Sequence, residues 1–504
     1  MPAPTPALSR FTRLTGALIA TALALPGICA DASAPAAIAA PIALAPCTLS
    51  DPLGLGSIAA QCGWLIVPEN REQRGRSLRL YMARVPAISH RSRADPLFVL
   101  AGGPGMAATE FYAAVAPAFE RIRRDRDIVL LDQRGTGQSN RLDCAIDDNE
   151  LLSTAIADVV RITTQCRDQL AARADLAAYT TAESARDLEA LRAALGYERI
   201  NLYGASYGTR LAQHYARLYP QRVRALILDG VAAPQVALGP QIALDAEAAL
   251  ESVLDRCAAA RDCRQAFGDV HRDYRQVRAK LEVAPVEVIL QQPLADAPGT
   301  IAFGPEHLAI VLRLATYAAT RAATLPYELH RAAAAGDYRP LAARFVLTSQ
   351  SLERAIAVGL NNSVVCSEDL PYVDPAHVDR AALQKSFMGA RALDAMQAVC
   401  EHWPRGQVDD GFREPLAADT PALLLSGAAD PVTPPRYAEL AMEKLPAARH
   451  IVLPGQGHGQ LTRPCMDKLM AEFLDSGDAS ALDTSCLERV VVPPFWLSRA
   501  GPAP

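Results

Sequence analysis

Short, unbroken apolar runs recur along this chain, and stretches with helical spacing separate them. The runs at 97–100 and 128–131, those at 200–203 and 224–231, and those at 423–427 and 450–455 have the length and composition of strands buried on both faces. Before them, segments 62–70 and 76–87 flank the polar turn 71–75 and predict an antiparallel hairpin. Residues 179–198 predict a helix, with Thr180 and Glu183 spaced as a capping box and Gly196 as its stop. A second helix follows 200–203, where Leu211, Tyr215 and Leu218 recur at three- and four-residue spacing. Strands alternating with helices predict an α/β fold, a mostly parallel sheet with helices on both faces. From about 235 to 415 the pattern changes to Ala-, Leu- and Arg-rich helix, interrupted at Pro285, Pro293, Pro298, Pro326 and Pro371. Because the strand pattern resumes afterwards, this segment reads as a helical cap inserted over the site; a separate fused domain is the alternative.

The loops after these strands carry the chemistry. Gly204-Ala205-Ser206-Tyr207-Gly208 sits between a strand and a helix, the spacing of a nucleophile elbow. The turn is tight enough to need both glycines, and the N–H of Tyr207 then opens the helix and faces developing negative charge. A serine hydroxyl needs an imidazole to take its proton, and the imidazole needs a carboxylate to fix its tautomer. Asp430 follows run 423–427 and His458 follows run 450–455, which supplies acid and base in the order serine, acid, histidine. His450, at the start of a strand, is the weaker base candidate. Gly102-Gly103-Pro104-Gly105 follows run 97–100. Gly103, or else Gly102, is the candidate second oxyanion donor, since Pro104 has no N–H. Asp132 and Arg134 read as structural partners that hold the loop beneath the site.

Composition narrows the class. The chain has 504 residues, half of them apolar, and a net charge of -5, so it carries no electrostatic footprint for nucleic acid. Arg10 and Arg13 precede the apolar run 14–30, and Ala30, Ala32 and Ala34 follow, the order of a secretory signal. The run is shorter than the roughly 20 residues of a spanning helix, so no stable membrane insertion is expected once the signal is removed. Lipid attachment at Cys29 is disfavoured by Ile28. Eleven cysteines become ten without the signal, an even number that points to disulfides and to a secreted or periplasmic protein. Pairing of neighbours (47–62, 144–166, 257–263, 366–400, 465–486) closes the shortest loops. Neither CxxC nor HExxH occurs, and no metal is expected. The expected organisation is signal peptide 1–34, linker 35–46, core 47–234, cap 235–415 and core 416–504.

The glycine loop at 102–105, the segment Asp132-Gln133-Arg134-Gly135-Thr136-Gly137-Gln138-Ser139 and the Ser206 elbow together resemble the proline iminopeptidase and tripeptidyl aminopeptidase family of serine exopeptidases. Asp430-Pro431-Val432-Thr433-Pro434, Gly457-His458-Gly459 and Tyr207 after the serine are similar to the tripeptidyl aminopeptidase branch. The resemblance spans roughly 45 to 490. It implies an α/β-hydrolase fold with a helical cap, exported, that cuts tripeptides or single residues from free peptide N-termini without metal or cofactor. Ala101 stands where many relatives have His. An exopeptidase must hold an ammonium group, and Glu368 and Asp369 in the second half of the cap are the candidates; a helix-capping or solvated acidic pair is the plainer reading. An esterase or lactonase on the same scaffold is the alternative function, and a binding protein on a dead hydrolase fold is a third.

Overall fold

The computed structural model describes residues 42–502 apart from 52–53, 55, 74, 145–154 and 291–298. The stretch read as a signal, and most of the linker, lie outside the described residues. Nine strands form one sheet. They are β1 (Ala45–Ser50), β2 (Ser57–Pro68), β3 (Ser77–Val85), β4 (Leu97–Leu100), β5 (Ile128–Leu131), β6 (Ile200–Ala205), β7 (Val223–Asp229), β10 (Ala422–Gly427) and β11 (Ala448–Leu453). A separate hairpin pairs β8 (Val286–Ile289) with β9 (Thr300–Phe303). The sheet order is β1-β2-β3-β5-β4-β6-β7-β10-β11. From β5 to β11 every neighbour is parallel, and β1, β2 and β3 extend the β5 edge antiparallel. The hairpin expected at 62–87 is β2–β3. β1 starts at Ala45, inside the stretch read as linker, and pairs with β2.

The parallel strands are apolar throughout because both faces are covered. Alternate residues of each strand point to opposite sides. Phe98, Val129, Leu202, Leu226 and Leu424 pack with Leu188 and Leu191 of α2 (Thr181–Ala194) and Leu211 and Tyr215 of α3 (Tyr207–Leu218). Leu97, Val99, Ile128, Tyr203, Ile227 and Leu425 pack on the other face with Tyr112 of α1 (Ala108–Val115), and with residues 466–476, which form a helix. At α2 the expected capping box is half formed. Thr180 accepts the N–H of Glu183 at 3.3 Å, but Glu183 turns away to Arg71 and Arg186. Gly196 ends that region with φ +76°.

Between β7 and β10 the chain is helical. It includes α4 (Pro240–Ala259), α5 (Val270–Val283), α6 (Pro305–Thr316), α7 (Arg339–Ala355) and α8 (Val358–Glu368). Its first part has its own core, with Leu250, Leu254, Val277, Leu312, Leu329 and Phe345. In contrast, Leu360, Val364 and Cys366 of α8 join the sheet's core beside Leu188 and Leu202. Five disulfides join the neighbours expected: Cys47–Cys62, Cys144–Cys166, Cys257–Cys263, Cys366–Cys400 and Cys465–Cys486. No helix among the described residues is long and apolar enough to cross a membrane.

Candidate active site

The site grows from one backbone turn. β6 ends at Ala205, α3 begins at Tyr207, and Ser206 between them adopts φ 54° and ψ -120°. That region is costly for a residue with a Cβ and persists only where the surroundings enforce it. Here the surroundings are backbone. A Cβ on Gly204 would lie 2.4 Å from the carbonyl oxygen of Gly208, and one on Gly208 would lie 2.4 Å from that of Leu100. The N–H of Ser206 donates to the carbonyl of Asp229 at 2.8 Å. Ser206 is half-buried, and its hydroxyl has no hydrogen-bond partner among the described residues. Tyr207 opens α3, so its N–H belongs to the first turn, where no acceptor exists within the helix.

The glycine loop lies against this turn. A Cβ on Gly102 would come within 3.1 Å of Ser206 Cβ, while Gly103, at φ +109°, faces Met106 and Ile356. The loop is held from the helical insertion. Asn361 Nδ2 donates to the carbonyl of Pro104 at 3.1 Å, and the N–H of Ala357 donates to that of Gly105 at 3.0 Å. Beneath it, the Asp132 carboxylate accepts the N–H and hydroxyl of Thr109 at 3.0 and 2.9 Å; its burial pushes its pKa up to about 6. Arg134 donates to Asp187 at 2.8 and 2.9 Å.

Asp430 and His458 meet directly. His458 Nδ1 donates to Asp430 Oδ2 at 2.7 Å, and Asp430 Oδ1 accepts the N–H groups of Val432 and Thr433 at 2.8 and 2.9 Å. The Thr433 hydroxyl adds a bond to Asp430 Oδ2 at 2.9 Å and stands 3.1 Å from His458 Nδ1. Burial alone would discharge both groups, but their mutual attraction outweighs it. The His458 ring is held above its usual 6.5, and the carboxyl of Asp430 is held below its usual 3.8. Two further contacts fix the ring. Tyr317 packs edge-on to it at 5.3 Å and accepts the N–H of His458 at 2.8 Å. Gly230 lies beneath, where a Cβ would sit 2.8 Å from His458 Cε1. Ser206 and His458 therefore rest on the same turn, Asp229-Gly230.

Asp229 is the residue that the sequence reading missed. Its carboxylate is buried and accepts the N–H of Gln460 at 2.7 Å, the N–H of Leu461 at 2.9 Å and the hydroxyl of Tyr203 at 2.9 Å. Its pKa is raised, chiefly by burial. The signal in the sequence was a lone aspartate within the otherwise apolar run read at 224–231; the strand in fact ends at Asp229, where it meets the site. Thr433 was missed too; it stands three residues after Asp430, the spacing at which a hydroxyl reaches back. His450 lies apart in β11 and bonds the Ser426 hydroxyl at 2.9 Å.

Glu368 and Asp369 do not face a common opening. Glu368 accepts the N–H and hydroxyl of Thr181, each at 2.6 Å, and the Thr181 hydroxyl also bonds that of Tyr207 at 2.8 Å. Burial raises Glu368 to about 7. Asp369 is taken by Arg210 Nη1 at 2.9 Å and the N–H of Leu238 at 2.8 Å. A substrate ammonium would have to displace Arg210 to reach it. Glu368 instead reaches Tyr207 of the elbow through the Thr181 hydroxyl, and Asp369 anchors α3 through Arg210.

A cavity of about 830 Å³ opens beside the glycine loop, lined by Arg313, Phe345, Leu352, Ile356, Asn361 and Met388. Away from it, the ring nitrogens of His271 of α5 stand 3.3 and 3.1 Å from the carboxylates of Glu251 and Asp255 of α4, the one three-residue cluster among the described residues with metal-ligand spacing.

The geometry has known counterparts. Residues 95–461 match the alpha/beta hydrolase fold family. Tripeptidyl aminopeptidase of Streptomyces coelicolor is 27% identical over 463 residues, 84% of this chain and 83% of that protein. Serine protease Hip1 of Mycobacterium tuberculosis is 32% identical over 249 residues, 45% of this chain and 47% of that protein. A probable proline iminopeptidase of Streptomyces coelicolor is 36% identical over 138 residues, 27% of this chain and 33% of that protein. The chain belongs to the alpha/beta hydrolase fold family. Within it, the chain is a serine hydrolase that is similar to tripeptidyl aminopeptidases and proline iminopeptidases.

Proposed function

We propose that this protein is an exported serine aminopeptidase that releases tripeptides or single residues from peptide N-termini. The observation that carries the reading is the hydrogen-bonded Asp430–His458 pair beside a serine held at positive φ. In the proposed reaction Ser206 Oγ attacks the scissile carbonyl carbon and its proton passes to His458 Nε2. Asp430 keeps the ring's other nitrogen protonated and stabilises the imidazolium. The N–H groups of Tyr207 and Gly103 receive the oxyanion, each such donor being typically worth about 3 to 4 kcal/mol. The tetrahedral intermediate collapses, the C–N bond breaks and His458 gives its proton to the leaving amine. Water then hydrolyses the acyl-enzyme with His458 again as base. The free Ser206 hydroxyl fits a site whose nucleophile–base contact tightens when substrate fills it. Segment 235–415 acts as the cap, since its Asn361 and Tyr317 touch the glycine loop and the histidine loop. Five disulfides support an oxidising compartment.

The test is a substrate panel with the Ser206→Ala variant beside it: Ala-Ala-Pro, Pro and Ala amides of one chromophore, their N-acetylated forms and a butyrate ester. Cleavage of the free-amine peptides alone, lost in Ser206→Ala, is the expected result. Serine-dependent turnover of the ester only overturns the peptidase reading in favour of an esterase.

A further inference from the structure

The cavity beside the glycine loop carries three arginines, and they are not equivalent. Arg278 is engaged by Glu282 at 2.8 Å and Arg391 by Glu306 at 3.3 Å. Arg313 has no carboxylate within salt-bridge distance among the described residues, and its Nε is buried without a partner. Its one side-chain contact is weak: Nη2 stands 3.5 Å from the Tyr317 hydroxyl.

Arg313 is also well placed. It lies on α6 one turn before Tyr317, and the end of α6 is locked to the histidine loop. The carbonyl of Tyr317 takes the N–H of His458 at 2.8 Å, and a Cβ on Gly457 would strike the carbonyls of Thr316 and Tyr317 at 2.6 and 2.5 Å. The cavity's other wall, Ile356 and Asn361, touches the glycine loop. The cavity is thus walled by two elements, one holding the glycine loop and one holding the histidine loop, with a guanidinium that has no carboxylate partner on its wall. The charge is felt at His458, where it opposes Asp430. A half-buried arginine beside apolar Phe345 and Leu352 is under-solvated, and a planar carboxylate is the partner its fork fits best.

We propose that Arg313 is a specificity residue that receives a substrate carboxylate, so that the preferred substrates are short peptides carrying an acidic side chain or a free C-terminus near the scissile bond. This rests on the peptidase reading above. Two matched pairs separate the sources of the carboxylate: Ala-Ala-Ala-Ala as acid and as C-terminal amide, and the amidated peptides Ala-Ala-Ala-Glu and Ala-Ala-Ala-Gln.

The wild-type protein is expected to favour the charged member of one pair by roughly tenfold to a hundredfold in kcat/KM, mostly through KM, the scale of one charge-assisted hydrogen bond. Arg313→Gln brings that ratio near one, and Arg313→Lys keeps part of it. Ratios within twofold for both pairs in the wild type, or a preference that survives in Arg313→Gln, overturn the proposal while leaving the peptidase reading intact. If no peptide is cleaved, the peptidase reading fails, and calorimetry still decides the inference. Ser206→Ala protein binds the charged member of at least one of the two pairs more tightly than its uncharged counterpart, through Arg313, if the proposal holds. Equal binding within both pairs, or none, overturns it.

Discussion

Asp229 accepts the main-chain N–H of Gln460 on its buried carboxylate at 2.7 Å, while its own carbonyl accepts the N–H of Ser206 at 2.8 Å. One residue at the end of β7 thus fixes the proposed nucleophile and the loop that carries the proposed base. Asp229→Asn leaves the shape but replaces one acceptor oxygen with a donor that faces N–H groups. The expected outcome is a fall in kcat of roughly tenfold to a hundredfold with a smaller change in KM, the scale for misplacing reacting groups. Asp229 also helps to hold the His458 ring's pKa up. The acid limb of the rate profile should therefore move to lower pH in the variant. A kcat loss with an unmoved limb would assign Asp229 to packing alone.

Thr433 offers a cleaner probe of the pair itself. Its hydroxyl bonds Asp430 at 2.9 Å and approaches His458 Nδ1 at 3.1 Å, so it sets how the carboxylate meets the ring. Thr433→Val keeps the volume and removes the hydroxyl. We expect kcat to fall by about tenfold or more, on the scale of 1 to 3 kcal/mol for a buried acceptor left short of a donor. Thr433→Ser should restore most of it. Steady-state kinetics of the two variants on one serine-dependent substrate decides the matter.

Much of this was readable in the chain because it rests on local pattern. Apolar runs fixed the strands, neighbouring cysteines closed short loops, and the elbow needed only five residues. Contacts made at long range left no such trace. Two partners of the Asp229 carboxylate, Gln460 and Leu461, lie more than 230 residues away in sequence, so nothing near residue 229 marks it as a hub. The acidic pair at 368–369 shows the same limit from the other side. A Glu-Asp step at a helix end reads alike whether it faces solvent, substrate or a buried arginine, and only the fold supplies Arg210, 159 residues away. Arg313 could not be singled out among so many arginines until the cavity showed which ones had partners.

His458 sets the expected pH dependence. As the proposed base it must be neutral, and its folded pKa lies above the usual 6.5 because Asp430 outweighs burial. Activity should fall as pH drops through that raised value, so the acid limb of kcat/KM lies above pH 6.5. The stability signs differ for the two partners. The raised His458 contributes stability fully below its unfolded pKa, and this is lost as pH rises through the folded value. The depressed Asp430 contributes above its unfolded 3.8, and this is lost as pH falls through its folded value. Asp430→Asn should abolish most turnover and bring the His458 pKa down, as read by NMR titration of the ring in each protein.

Glu368 works in the opposite sense to Asp430. Burial raises its pKa to about 7 from a usual 4.5, so the folded protein favours the protonated acid. Its ionisation therefore costs stability as pH rises from about 4.5 to about 7, by up to ~3 kcal/mol for a shift of this size. Glu368→Gln keeps an acceptor for the N–H of Thr181 but cannot ionise. The variant should show a flatter dependence of unfolding free energy on pH between 5 and 7.5 and should be the more stable protein at the upper end. Because Glu368 reaches Tyr207 through the Thr181 hydroxyl, its ionisation bears on the residue whose N–H is proposed to hold the oxyanion. Urea unfolding at four or five pH values, run on both proteins, checks the prediction. Parallel curves would place the ionisation of Glu368 outside this range.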